Sequence, residues 1–331
     1  MSQYAGGSGG SSPHASTAGG SGGSTPQPAD AADLVGRSAA ALVSGIPEQP
    51  ADDGFFGPAS VAWRISGDLS APVAGLRALL IQALHPLAMA GVDQHSDWRA
   101  DPVGRLAATA GYLAVVTFGE RAVAERAAAR VRRIHERVSG LDSVTGQEYR
   151  ASDPALLLWV HAGLVDSNIA ARAAFGSPLD DADADRYVEE MVVAAELVGV
   201  SAELVPDSTA SLARYLASVR SQLRCTPAAR ESAAYLLDPP GLDEEVAEIW
   251  QDIREAVLAC LPDWALDLYG YSAPELTGRR RDEIRQALGV LDAVFLGEPG
   301  VLEARQRITL RMRAHAGDSG SRPSGPVAAH V

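Results

Sequence analysis

The chain has 331 residues, 47% of them hydrophobic, enough to bury a substantial core without disulfides or structural metals. All 28 basic residues are arginine, which excludes a lysine Schiff base, a Walker lysine or a lysine general base. A formal charge of −14 with no offsetting basic stripe makes nucleic acid and anionic membrane unfavourable partners.

In chain order, residues 1–28 form a Gly/Ser-rich stretch with too little apolar surface to offset the entropy of ordering, and a disordered tail is expected there. Its GGSGG matches the nucleophile-elbow pattern formally, but no strand precedes it, so no such site is assigned. No secretory signal pattern is visible, and a cytoplasmic location is expected. The apolar stretch 73–92 is broken by Arg77, Gln82 and Pro86, so it does not read as a clean membrane span; peripheral contact through an apolar face remains open.

From 29 to 315 the pattern is helical, and period-two alternation is nearly absent. Helices are predicted over 31–44, 58–67, 72–90, 102–117, 120–139, 153–175, 181–199, 208–224, 227–237, 242–260, 264–270, 273–296 and 299–313. Asp101-Pro102, Asp153-Pro154 and Thr226-Pro227 each place a capping side chain before a proline suited to the first helical position. Gly119, Gly140, Gly176 and Gly297 mark predicted stops. Residues 316–331 read as a second flexible tail. With no internal repeat, the fold class is a single all-α domain between two tails.

Chemistry-bearing residues are few. His14, His315 and His330 lie in or beside the tails, which leaves His85, His95, His135 and His161. In GERAVAERAAARVRRIHERVSG the residues Val123, Ala127, Val131, Ile134 and Val138 form an apolar stripe at helical spacing, with His135 on it or at its edge. His135 is therefore either a neutral core histidine bonded to a carbonyl or an imidazole presented to a metal or haem iron. The same alternatives hold for His161, flanked by Leu157 and Leu164. On the preceding helix Arg105, Thr109, Tyr112 and Val116 share one face, where Arg105 either anchors a carboxylate or propionate, caps the preceding helix, or pairs with Asp97 or Asp101.

Other classes lack their motifs. There is no H-E-x-x-H, no Glu-x-x-His pair in the core and no strand-borne G-x-G-x-x-G. DDADAD at 180–185 lacks the glycine and terminal glutamate of a calcium loop and reads as a charged helix start. Cys225 and Cys260 are too few for a thiolate zinc site and read as buried thiols.

Three motifs in order, LLIQALHPLAMAGVDQHSDWRADPVGRLAATAGYLAVVTFG, AARVRRIHERVSG and YRASDPALLLWVHAGLVDS, resemble the catalytic domain shared by latex-clearing rubber oxygenases and MpaB-type oxygenases, over roughly residues 54–300. The resemblance implies an all-helical, globin-like core and a non-covalent haem b. It carries the proximal iron ligand onto His135 and an Arg-x-x-x-Thr element onto Arg105 and Thr109, on the other side of the haem. His161 matches the W-V-H-A element of the MpaB-like branch. The lysine that precedes this threonine in the rubber-cleaving branch is replaced by Ala108, and the pocket glutamate of that branch has no counterpart near Ala88 and Met89, so rubber cleavage itself is not implied.

On this reading His85, His95, Asp97 and Arg105 form the rim and distal wall of a haem pocket, and the sixth iron position is open, water-bound or taken by another histidine such as His85, the open site being favoured because Pro86 restricts His85. The expected function is a haem b-dependent oxygenase using dioxygen on an apolar, unsaturated, isoprenoid-like substrate, with Arg105, Thr109 and His85 as catalytic candidates. Two alternatives are a non-catalytic helical haem-binding or sensor protein and a cofactor-free helical interaction module.

Overall fold

A computed structural model describes residues 31–319, so the tail expected over 1–28 lies outside the described residues. The chain runs through α1 (Ala31–Gly45), α2 (Val61–Ser66), α3 (Ala71–Ala83), α4 (Pro86–His95), α5 (Pro102–Phe118), α6 (Arg121–His135), β1 (Ser139–Leu141), β2 (Glu148–Arg150), α7 (Pro154–Phe175), α8 (Asp181–Glu190), α9 (Val192–Val198), α10 (Thr209–Val219), α11 (Pro227–Leu237), α12 (Glu244–Cys260), α13 (Asp263–Tyr269), α14 (Gly278–Leu296) and α15 (Val301–Ser319). Among the described residues the fold is all-α apart from the β1–β2 hairpin.

The three predicted caps are made: Asp101, Asp153 and Thr226 accept from the backbone N–H groups of Gly104, Ala155 and Ala229. Gly119, Gly176 and Gly297 end α5, α7 and α14. Gly140 does not end a helix. It sits in β1 opposite Tyr149.

The core is built around α7, which packs along α3 and also meets α12, α9 and α10. Trp159, Leu80, Ile81, Leu84, Ile253 and Tyr269 are fully buried within it. Burying such side chains contributes about 1.5–3 kcal/mol each, which explains why the apolar positions of these helices face one another. A second tight pair is α1 on α5. There Gly111 lets the backbones approach, because a Cβ at that position would stand 2.9 Å from the Ala41 Cβ.

The helix predicted over 72–90 is two helices, α3 and α4, meeting at 103°. Pro86 is the cause: the residue before proline is driven out of the helical region, and His85 adopts ψ 113. The break frees the last carbonyls of α3, and other parts of the core take them up. Tyr269 Oη donates to Leu80 O at 2.7 Å, Trp159 Nε1 to Gln82 O at 3.0 Å and Arg224 N to Leu84 O at 2.9 Å. Among the described residues no single helix is long and apolar enough to cross a membrane. The α3–α4 pair meets the length and composition test only as a bent unit.

Other boundaries shift for identifiable reasons. The helix predicted over 120–139 ends at His135, and residues 139–150 form the hairpin. Asp142, 4% exposed, fixes its turn by accepting from the Val144 and Thr145 backbone and the Thr145 hydroxyl. The segment 181–199 divides at Met191, and α14 begins at Gly278, where Thr277 caps it by accepting from Arg280 N. The last helix continues to Ser319, past the predicted end at 313.

Candidate functional site

Helices α5 and α6 pack on each other and are joined at Gly119–Glu120. Counting back thirteen residues from Phe118 and forward fourteen from Arg121 puts Arg105 and His135 each roughly 20 Å along its helix from the turn. The electrostatics agree: the Arg105 charge acts on the His135 ring.

The face of α6 that meets α5 differs from the predicted stripe. Ala124 and Ala128 are fully buried, whereas Ile134 is 50% exposed. Small side chains allow the two helices to approach, and the buried line they begin continues, at helical spacing, through Val131 to His135. His135 thus faces α5 from the final residue of α6 and is half-buried there. Its Nδ1 is buried with no hydrogen-bond partner, which leaves Nε2 as the accessible ring nitrogen. Burial first, and then the Arg105 charge, holds the imidazole below its ordinary pKa and so in the neutral, lone-pair-bearing form.

Arg105 makes no side-chain hydrogen bond or ion pair among the described residues. It is accessible to solvent, yet the surrounding protein desolvates it enough to lower its pKa. A side chain both accessible and desolvated suits the wall of a recess better than a convex surface. The pairing alternatives weighed for it are not realised: Asp101 instead takes both nitrogens of Arg37, at 2.9 and 2.8 Å. Thr109, one turn on, donates its hydroxyl to Arg105 O at 3.0 Å, and Ala108 beside it is exposed.

Tyr112 completes this face, and sequence reasoning gave it no role. Its hydroxyl is buried without a partner, and burial pushes its pKa up to about 12. Beyond it Val116, Ala128 and Leu197 form an apolar cluster. Arg132 ties α6 to α9 by donating to Leu197 O.

His161 is buried in α7, hydrogen-bonds to no described residue, and is driven to a pKa of about 4 by burial alone. Gly163 faces Gln82 and Ile81 of α3, so His161 lies on the far side of α7. It is one turn from Leu157, which approaches Gly199 together with Arg132 of α6.

The remaining candidates lie elsewhere. His85 is buried at the α3–α4 bend, its ring 6.1 Å from that of Trp159, and its Nδ1 is also unpartnered. Burial lowers its pKa, partly offset by Gln222 and the Asp153 charge. No hydrogen bond, ion pair or ring contact joins His85 to Arg105, Thr109 or His135 among the described residues. His95 is exposed on α4, with Nε2 3.1 Å from Ser139 O and its ring edge-on to Tyr149, so it braces the hairpin. Asp97 turns the loop by accepting from Ala100 N and Asp101 N through its carbonyl. The charges of this loop are largely structural: Arg99 joins Asp93 to Glu231, and Asp101 joins α5 to α1.

Among the described residues no group of three or more His, Cys, Asp or Glu could hold a bare metal ion. A haem asks less of the protein, since its macrocycle supplies four donors and one neutral imidazole suffices. The unpartnered, neutral His135 and the unpaired guanidinium of Arg105, suited to a propionate, fit that requirement. A separate surface groove of about 490 Å³, lined by Asp52, Asp53, Arg307 and Arg311, lies by the turn that joins α5 to α6 and shares none of these residues.

The family model described as "ER-bound oxygenase mpaB/B'/Rubber oxygenase, catalytic domain" matches residues 63–293, a span that includes every residue of this cleft. No curated protein and no solved structure matches the chain.

Proposed function

The chain belongs to the ER-bound oxygenase mpaB/B'/rubber oxygenase catalytic-domain family, and on that premise we propose that it is a haem b-dependent oxygenase acting on an apolar, unsaturated substrate. The observation that carries the reading is the pairing of Arg105 with His135 between α5 and α6, with neither side chain engaged by the protein. The Arg105 guanidinium, accessible and without a counter-ion among the described residues, is available to an anionic ligand, and the accessible Nε2 of His135 is available to a second group.

In this reading His135, whose Nε2 is free, would hold the haem iron. Its neutrality matters, because a protonated imidazole has no lone pair to give. Arg105 binds a carboxylate at the cleft mouth and, by its charge, disfavours protonation of His135. The haem supplies dioxygen activation, which no side chain in the cleft could provide. Val116, Ala128 and Leu197 exclude water from the inner end and suit an apolar substrate. Ala108 offers no amine where the rubber-cleaving branch has lysine, so this part of α5 would leave room for substrate.

Haemin titration of the purified protein tests this. The expected result is stoichiometric uptake with a Soret band, followed by oxygen consumption when an isoprenoid alkene is supplied. Haem uptake without oxygen consumption on any alkene would indicate a sensor or carrier. No uptake at all would contradict the haem reading.

A further inference from the structure

Residues 121–137, from the start of α6 into the turn that closes it, carry six arginines and two glutamates, in a chain that has 42 acidic residues to 28 arginines. Two of the six are engaged, Arg121 over the Phe55 ring and Arg132 at Leu197 O. The other four, Arg126, Arg130, Arg133 and Arg137, are exposed and make no hydrogen bond or ion pair among the described residues. Their spacing of four, three and four residues gathers them within about 60° around the helix axis, in a stripe about 17 Å long. It lies on the side of α6 opposite Ala124, Ala128 and His135. The expectation that no basic stripe offsets the net charge fails here, because net charge is blind to which residues share a face.

The helix itself gains little from this arrangement. The helix dipole favours cations in the last turn, which accounts for Arg133 and Arg137 but not for Arg126, and it favours no particular side. Like charges three and four residues apart repel and weaken the helix. Elsewhere on the molecule arginines are mated: Arg37, Arg64, Arg99, Arg280 and Arg305 each pair with a carboxylate. A row of like charges left open suits an anionic partner outside the chain.

Size and flanks indicate which partner. Glu125 and Glu136 lie to one side of the stripe. The other side is apolar, with Val123, Ala127 and a 50% exposed Ile134. Leu141 and Val144 are exposed in the hairpin that follows. A stable protein interface buries about 800 Å² on each partner with matched shape, more than one short helix face offers. A lipid surface needs no matched shape: arginines meet anionic headgroups while neighbouring aliphatic side chains enter the acyl boundary. The acidic remainder of the molecule is screened beyond a Debye length of about 8 Å.

We propose that the outward face of α6 docks peripherally on an anionic phospholipid bilayer through Arg126, Arg130, Arg133 and Arg137, with Ile134 at their edge. His135 points the other way, so docking leaves its ring free, and the inference stands independently of the haem reading.

Sedimentation of the full chain with vesicles tests it. Wild type is expected to pellet with phosphatidylserine–phosphatidylcholine vesicles, to stay in solution with phosphatidylcholine alone, and to be released by salt. Arg130→Gln should weaken binding about fivefold. Joint replacement of the four arginines by glutamine should abolish it while circular dichroism stays helical, and joint replacement by lysine should preserve it, since charge suffices. No binding of wild type to the anionic vesicles, or equal binding by the folded glutamine variant, would overturn the proposal. Loss of binding in the lysine variant, or capture by polyglutamate in place of vesicles, would assign the stripe to an acidic protein and overturn the lipid assignment.

Discussion

Arg105 and His135 face each other from the first turn of α5 and the last residue of α6, close enough for the guanidinium charge to lower the imidazole pKa. Arg105→Gln removes that charge, so the His135 pKa should rise. NMR titration of the ring proton in the ligand-free protein measures it directly. If His135 holds haem as proposed, binding requires its neutral form, so the acid limb of haem binding should move to higher pH in the variant. An unmoved titration would mean that the two side chains do not share a cleft.

The buried His161 makes a second pH prediction. Its folded pKa of about 4 lies below the unfolded value near 6.5, so between these values the unfolded chain binds more protons. Stability is therefore full above about pH 6.5 and falls as pH drops toward 4, by about 3 kcal/mol from this residue. His161→Leu should lose less stability than wild type between pH 7 and 4 by about that amount, read from urea midpoints. Parallel acid limbs in the two proteins would refute the assignment.

Arg77 is 3% exposed and reaches Asp166, Ser167 Oγ and Cys260 O, each at 2.8 Å. It ties α3 to α7 and to the end of α12. Arg77→Leu leaves Asp166 without its counter-ion and should cost about 3 kcal/mol. Much of that loss should return in the double variant with Asp166→Leu, by chemical denaturation. A single-variant loss under 1 kcal/mol would show that the pair is dispensable.

Asp101 caps α5 at Gly104 N and pairs with Arg37, which sets where Arg105 begins its helix. Asp101→Ala should cost about 1–2 kcal/mol and weaken haem retention without changing the spectrum of the haem that remains. Full haem affinity in a destabilised variant would separate the cap from the site.

Sequence reasoning reached the all-α architecture, the proline-led caps and the shared face of Arg105, Thr109 and Tyr112, because these depend on spacing within one helix. It missed what depends on a neighbour. The α3–α4 break was signalled by Pro86, but the apolar run around it masked the signal. The α6 stripe was drawn through Val and Ile, which weigh most in a hydrophobic pattern, whereas close approach to α5 selects Ala124 and Ala128. The hairpin after His135 has three-residue strands, too short for alternation to stand out. The orphaned hydroxyl of Tyr112 could not be read from sequence at all, since an absent partner is a property of the packed state.

The most direct test of the central claim is the absorption spectrum of the haem-reconstituted protein beside those of His135→Ala and His161→Ala. Wild type and His161→Ala are expected to show the Soret band, and His135→Ala to lose most of it while circular dichroism stays helical. A Soret band that survives in His135→Ala and disappears in His161→Ala would contradict the assignment of the iron to α6.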